Sequence, residues 1–248
     1  MNVSVRSGME LKRFDESFSN LTKMFKKGFY KKPTKFEIDV FSKIIDFQLQ
    51  ALIITSRLEE DITEEMAHTQ YIFKCHKENI KPSNSEFKKS IIILFKLMLD
   101  LSDFYIYTRM FLDALTVGIR LSFINAGNKN ACIMEHSVKC LLNEKNMKTY
   151  KEKIGQNFFD NLEKHLSWIR NLRESRNGLV HYYHHFVFTT TRQDKLGYDI
   201  MDREKDEWGI DTVKGVSNEI QTVINSLTDL MEYLHTNLPK KPKNDQRN

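Results

Sequence analysis

The side chains best suited to chemistry lie in one run, Trp168-Ile169-Arg170-Asn171-Leu172-Arg173-Glu174-Ser175-Arg176-Asn177-Gly178-Leu179-Val180-His181-Tyr182-Tyr183-His184-His185. Arg176 is followed directly by Asn177 and, after three spacers, by His181. A histidine takes or gives a proton at neutral pH, since its unperturbed pKa is about 6.5. An arginine offers paired hydrogen bonds to the charge that builds on a phosphoryl group in its transition state. An asparagine beside them orients the phosphate or the imidazole. RNA brings its own nucleophile, the 2′-OH, so this set can cleave RNA without a metal. One histidine supplies either the acid or the base. Two copies of the run in a dimer would supply both.

On a helix of about 100° per residue, Arg173, Asn177, His181 and His184 share one polar face. Arg176 lies about 100° from Asn177, toward the apolar stripe of Leu172, Leu179 and Val180. A buried guanidinium needs a carboxylate or carbonyl partner, and Asp113, Asp103 and Glu135 are the candidates. The other route is a kink at Gly178 that turns Arg176 outward. The competing reading is an arginine that pins two helices together beside a capping histidine.

Two lesser constellations accompany this run. Cys132, His136 and Cys140 recur at steps of four, which would place them on one helix face. Zinc wants four such ligands and rarely takes them from one straight helix, so no metal is expected there. His181, His184 and His185 have helical spacing but no carboxylate close in sequence, so no zinc-protease or di-iron pattern is completed. There is no Gly-rich phosphate loop, dinucleotide fingerprint or serine elbow. No cofactor is expected.

These residues need long helices to position them. With nine Gly and four Pro in 248 residues, helix breakers are scarce. A first helix is expected from Thr34 or Lys35, carried by Phe41, Ile44, Ile45, Leu49, Leu52 and Ile53, with a break near Asp61 to Thr63 and an end near Asn79. Ser83 with Glu86 reads as a capping box for a second helix over 84–125, closed by Gly127. A third helix is expected over 130–143 and a fourth over 154–185, the latter carrying the Arg–His run. The period then changes, and Phe186 to Ile200 reads as a small β-hairpin. A last amphipathic helix over 212–238 ends at Pro239. The expected fold class is therefore all-α, a bundle of long helices with one small β-hairpin near 186–200.

Hydrophobic residues make up 40% of the chain and charged residues 29%, as in ordinary globular domains. No segment has the roughly 20 mostly apolar residues of a membrane span, and no apolar signal region follows Met1. Three cysteines without framework spacing read as reduced thiols in a cytoplasmic protein. The net charge of +5 is uneven: residues 1–35 carry nine Lys/Arg against three acids, and 240–248 carry four against one. The body between is mildly acidic, which does not mark it as a nucleic-acid binder by bulk charge. Residues 1–35 read as a basic leader. The interleaved aromatics and lysines of 23–33 suit single-stranded nucleic acid. The adopted reading is a solvated segment whose aromatics dock on the body, dispensable for folding, like the disordered basic tail 239–248.

With Arg176, Asn177 and His181 matching an Arg–polar–spacer–His signature, residues 36–238 resemble the HEPN family (higher eukaryotes and prokaryotes nucleotide-binding domains). The run Asp103-Phe104-Tyr105 to Leu112-Asp113-Ala114-Leu115 also looks like bacterial members of that family. The resemblance implies a helical bundle and a metal-independent endoribonuclease that acts as a homodimer, with two signatures facing each other. Arg176, Asn177 and His181 would then be catalytic, and Arg173, Asp113 and His184 supporting. RNA is the implied substrate, with a role in stress or phage defence and an antitoxin or other protein as a further partner. Some members keep the bundle and have lost the activity. The alternative function is thus a catalytically inactive helical module for dimerisation or partner binding.

Overall fold

The computed structural model describes residues 4–28, 35–169, 185–190, 196–201 and 214–239. Sparse breakers and unbroken apolar periods give three long helices first: α1 (Ser4–Gly28), α2 (Lys35–Lys77) and α3 (Asn84–Asn125). A 3-10 turn (Lys129–Ile133), α4 (Val138–Leu141), α5 (Glu144–Lys153) and α6 (Gln156–Leu166) follow. Helix α7 (Val216–Asn237) closes the described chain. Three short strands, β1 (His185–Thr190), β2 (Leu196–Met201) and β3 (Lys214–Gly215), lie in the order β1-β2-β3. Both pairings are antiparallel, with Phe186 opposite Ile200 and Tyr198 opposite Lys214. Residues 191–195, where the expected hairpin would turn, lie outside the described residues, and β3 was not anticipated. The described fold is mostly helical.

The local signals of α3 act as its sequence requires. The Ser83 hydroxyl accepts the Glu86 N–H at 3.3 Å, which satisfies one of the open donors at the helix start. At the far end Gly127 takes a φ of 92°, a conformation that suits glycine. There its N–H and that of Asn128 bond back to Ile124 and Phe123.

Three expectations about helices are corrected. Helix α2 runs without a break through Asp61 and Thr63; the Thr63 hydroxyl bonds the Glu59 carbonyl within the helix. The single helix over 130–143 is replaced by the 3-10 turn and α4, because Asn128 and Ser137 each cap a new start with their side chains. The helix expected from 154 is preceded by α5, capped by Asn143, and starts at Gln156. It stops at Leu166, where Ser167 turns its N–H and hydroxyl back to the Lys164 carbonyl.

The chain divides into two compact units. Unit 1 takes 1–49, 107–171 and 223–248; unit 2 takes 50–106 and 172–222. In unit 1 the first helix, expected as a solvated basic segment, buries an apolar face. Phe14, Phe18, Leu21 and Phe25 recur at helical steps along α1 and are all buried. Phe18 stacks on Phe111, which stacks on Phe47 at 4.2 Å between ring centroids. Phe25 needs the bare backbone of Gly118, since a Cβ there would sit 2.7 Å from its ring. Outside this core, Arg13 Nη2 bonds Glu232 Oε2 at 2.6 Å and Asp229 Oδ1 at 2.8 Å, and the Ser17 hydroxyl donates to Glu232 Oε1. A second aromatic group joins Phe123, Phe158, Phe159 and Tyr233. Burial holds the Tyr233 phenol up at about 12, and its hydroxyl donates to the Phe158 carbonyl at 2.7 Å.

In unit 2 the later half of α2 buries Ile54, Leu58 and Ile62, and the first half of α3 buries Ile93, Leu97, Leu101 and Phe104. Arg57 bridges the two segments to the Asp100 carboxylate through two nitrogens, and Lys89 reaches Glu64 at 3.3 Å.

Candidate functional site

Arg173, Arg176, Asn177, His181 and His184 lie outside the described residues. The chain that leads toward them is described as far as Ile169, which is buried. Beside it the Trp168 indole N–H is buried with no hydrogen-bond partner among the described residues.

Asp113 is described, and it is engaged. On α3, four residues after Arg109, it accepts the Arg109 Nε–H at 3.2 Å through one oxygen. Through the other it accepts the Val138 N–H at 2.8 Å. The second bond serves the start of α4, whose first N–H groups need acceptors. Arg109 in turn donates to the Ser137 hydroxyl at 3.0 Å. Asp113 thus fastens the loop before α4 to α3. The other two carboxylates weighed for Arg176 also have partners. Asp103 lies 3.9 Å from Arg57, and Glu135 accepts the Cys140 thiol at 2.7 Å. That carboxylate raises the Cys140 pKa by holding its proton, with burial adding to the effect.

Cys132, His136 and Cys140 do not share a helix face. Cys132 is in the 3-10 turn, His136 in the irregular stretch after it and Cys140 in α4. Among the described residues no group of three or more His, Cys, Asp and Glu is placed to hold a metal.

What sequence reasoning missed is a pairing around His136 in unit 1. Arg120 Nη1 is in hydrogen-bond contact with His136 Nε2, and Nη2 reaches the Cys132 carbonyl at 3.4 Å. The Phe36 ring lies 5.7 Å from the imidazole, tilted by 40°. The three residues are far apart in the chain, so no spacing could have announced them.

Unit 2 has its own titratable cluster. Asp61 is buried on α2, and desolvation raises its carboxyl pKa, opposed by the nearby charge of Lys96. His68 is buried too, with Nδ1 3.4 Å from Glu86 Oε2 and Nε2 without a partner among the described residues. No helix among the described residues is long and apolar enough to cross a membrane. Compared with known proteins, the chain matches no family model, no curated protein and no solved structure, so its function has to be read from its own residues.

Proposed function

We propose that this chain is a metal-independent endoribonuclease of HEPN type that cleaves RNA through the 2′-OH. Arg176 stabilises the charge on the phosphate, His181 moves the proton and Asn177 orients, with Arg173 and His184 in support. The observation that carries this reading is the Arg176-Asn177-x3-His181 spacing in a chain whose described residues are mostly helical. The reading includes the hairpin near 186–200, supported by the antiparallel register of β1 and β2. It includes a cytoplasmic setting, supported by three free thiols. The defence role and the antitoxin partner rest on the resemblance alone.

The test is purified protein with mixed RNA in EDTA. Cleavage is expected to proceed and to leave 2′,3′-cyclic phosphate ends, and DNA is expected to stay intact. His181→Ala is expected to abolish cutting. Arg176→Lys is expected to fail as well, because an ammonium cannot reproduce the planar two-pronged contact. Asn177→Ala is expected only to slow it. Cutting by His181→Ala at the parent rate, or activity only with divalent metal, overturns the mechanism.

A second reading, a catalytically silent helical module that dimerises or docks a partner, has an observation of its own. In unit 2 the α3 residues Ile91, Ile92, Phe95 and Leu99 are exposed, and 92, 95 and 99 follow the three-then-four spacing of a helix-pairing seam. A second copy on such a face also suits the homodimer that the nuclease reading requires.

A further inference from the structure

We infer that Arg120, His136 and Phe36 of unit 1 form a binding subsite for one nucleotide unit of a single-stranded nucleic acid, the phosphate on Arg120 and His136 and the base on Phe36. The inference stands apart from the Arg176–His181 chemistry and needs no cleavage.

It starts from a contrast among arginines. Arg13, Arg57 and Arg109 each bond a carboxylate. Arg120 has none among the described residues: its contacts are an imidazole nitrogen and a backbone carbonyl. A guanidinium has five N–H donors in a planar fork, so Arg120 keeps donors to spare. Its Nε–H is buried with no partner among the described residues. A guanidinium whose contacts are an imidazole nitrogen and a carbonyl, with no carboxylate among the described residues, is an incomplete arrangement. A phosphate completes it, because its oxygens accept two parallel N–H bonds from one guanidinium.

His136 extends the same surface. In accepting from Arg120 at Nε2, its imidazole keeps the proton on Nδ1. An arriving phosphate can take the arginine N–H groups and accept from the His136 Nδ1–H as well.

The aromatic group makes this more than an anion site. Phe36 is 44% exposed, although large apolar side chains have a core to join in unit 1. It stands near the start of α2 with exposed Lys35 beside it. Arg120 and Phe36 touch the same imidazole, so they lie within reach of one phosphate and its attached base. Stacking on an aromatic face with a cation alongside is the usual way to hold single-stranded nucleic acid without reading its sequence. Glu135 is the acid next to His136, and its Oε2 accepts from Cys140.

The test uses the full chain and a fluorescein-labelled 2′-O-methyl RNA 12-mer, which has no free 2′-OH and cannot be cut by that route. Anisotropy at several salt concentrations gives the Kd and its salt dependence. The parent is expected to bind. Phe36→Leu is expected to weaken binding about five- to hundredfold with an unchanged salt slope. Arg120→Gln is expected to weaken it at least tenfold and to reduce the salt slope by about one. Arg120→Lys is expected to keep the slope and lose affinity. Should Arg120→Gln unfold, Phe36→Leu still decides, since an exposed ring is not a core residue. Competition by AMP but not by equimolar inorganic phosphate supports the combined phosphate-and-base site and adds free nucleotides as ligands. Competition by neither leaves the polymer as ligand and supports the inference if both variants weaken binding. A parent that binds neither oligomer nor AMP overturns it, as do folded variants that bind like the parent. Inorganic phosphate competing as well as AMP overturns the role of Phe36. Loss of RNA cutting by His181→Ala with 12-mer binding intact would separate this site from the proposed nuclease.

Discussion

Unit 1 and unit 2 use the same helical material differently. In unit 1 the apolar face of α1 is closed against α3 by stacked rings, and its arginine clasp to α7 lies at the surface. In unit 2 the order is partly reversed. Charged and titratable groups such as Asp61 and His68 are buried, while Ile92, Phe95 and Leu99 face solvent. Burying a carboxylate costs stability and leaving large apolar groups in water forgoes it. The units therefore differ most in what they bury: α1 in unit 1 buries aromatic and aliphatic side chains with its charges at the surface, whereas unit 2 buries Asp61, His68 and Asp100.

Substitutions can break or sharpen that contrast. The largest effect is expected from Phe18→Ala in unit 1, a loss of about 3–5 kcal/mol in a urea melt. A loss under about 1 kcal/mol would mean that α1 is not part of the core. Next comes Gly118→Ala, which drives a methyl into the buried Phe25 ring and is expected to cost about 1–3 kcal/mol. An unchanged melting temperature would show that the ring can move aside.

Asp61→Asn should act in the opposite direction, raising the stability of unit 2 at pH 7. Burial raises the folded carboxyl pKa above its unfolded value, so the ionised form is disfavoured on folding at neutral pH. That penalty is present above the folded pKa and vanishes below the ordinary aspartate pKa, where both states are protonated. The gain should therefore shrink to nothing in acid, and a gain that persists there would assign it to something other than charge.

Arg13→Gln should have a smaller effect, about 0.2–1 kcal/mol, because the clasp is half exposed and screened. The Arg13 guanidinium holds the Glu232 carboxyl below its ordinary pKa, helped by Ser17 and opposed by burial. Its contribution is full above the unfolded glutamate pKa and is lost as the pH falls through the depressed folded value. Thermal melts from pH 7 to 3 should show the variant and parent converging. Smallest in stability is Phe95→Glu in unit 2, expected within about 0.5 kcal/mol. If the exposed α3 face pairs with a second copy, light scattering should nonetheless show a drop in mass. A large loss of stability at constant mass would mean that the chain itself covers that face.

Much of the helical order could be read locally. Ser83, Glu86 and Gly127 mark the ends of α3 because a cap acts within one turn of the residue that makes it. The apolar period of α7 was equally plain, as was the Arg176–His181 spacing. Helix α1 was not. Nine basic residues among the first 35 read as a solvated leader, yet four apolar side chains buried along it obey the same period as any core helix. The charge drew attention from the period, and the partners that settle the matter, Phe111, Gly118 and Glu232, lie far along the chain. The break between the 3-10 turn and α4 was missed because Ser137 and Asn128 can sit inside a helix or start one. Asp113, reaching the Val138 N–H from α3, favours the start.

The sequence by itself determined where long helices form, where capped ones stop and which residue types could serve a phosphate, since these depend on neighbours within a few residues. Only the tertiary structure decided that a lysine-rich first helix is core, that Asp113 already has two partners and that His136 meets both Arg120 and Phe36. Each of those depends on groups brought together from distant parts of the chain, and periodicity carries no record of which distant group will be there.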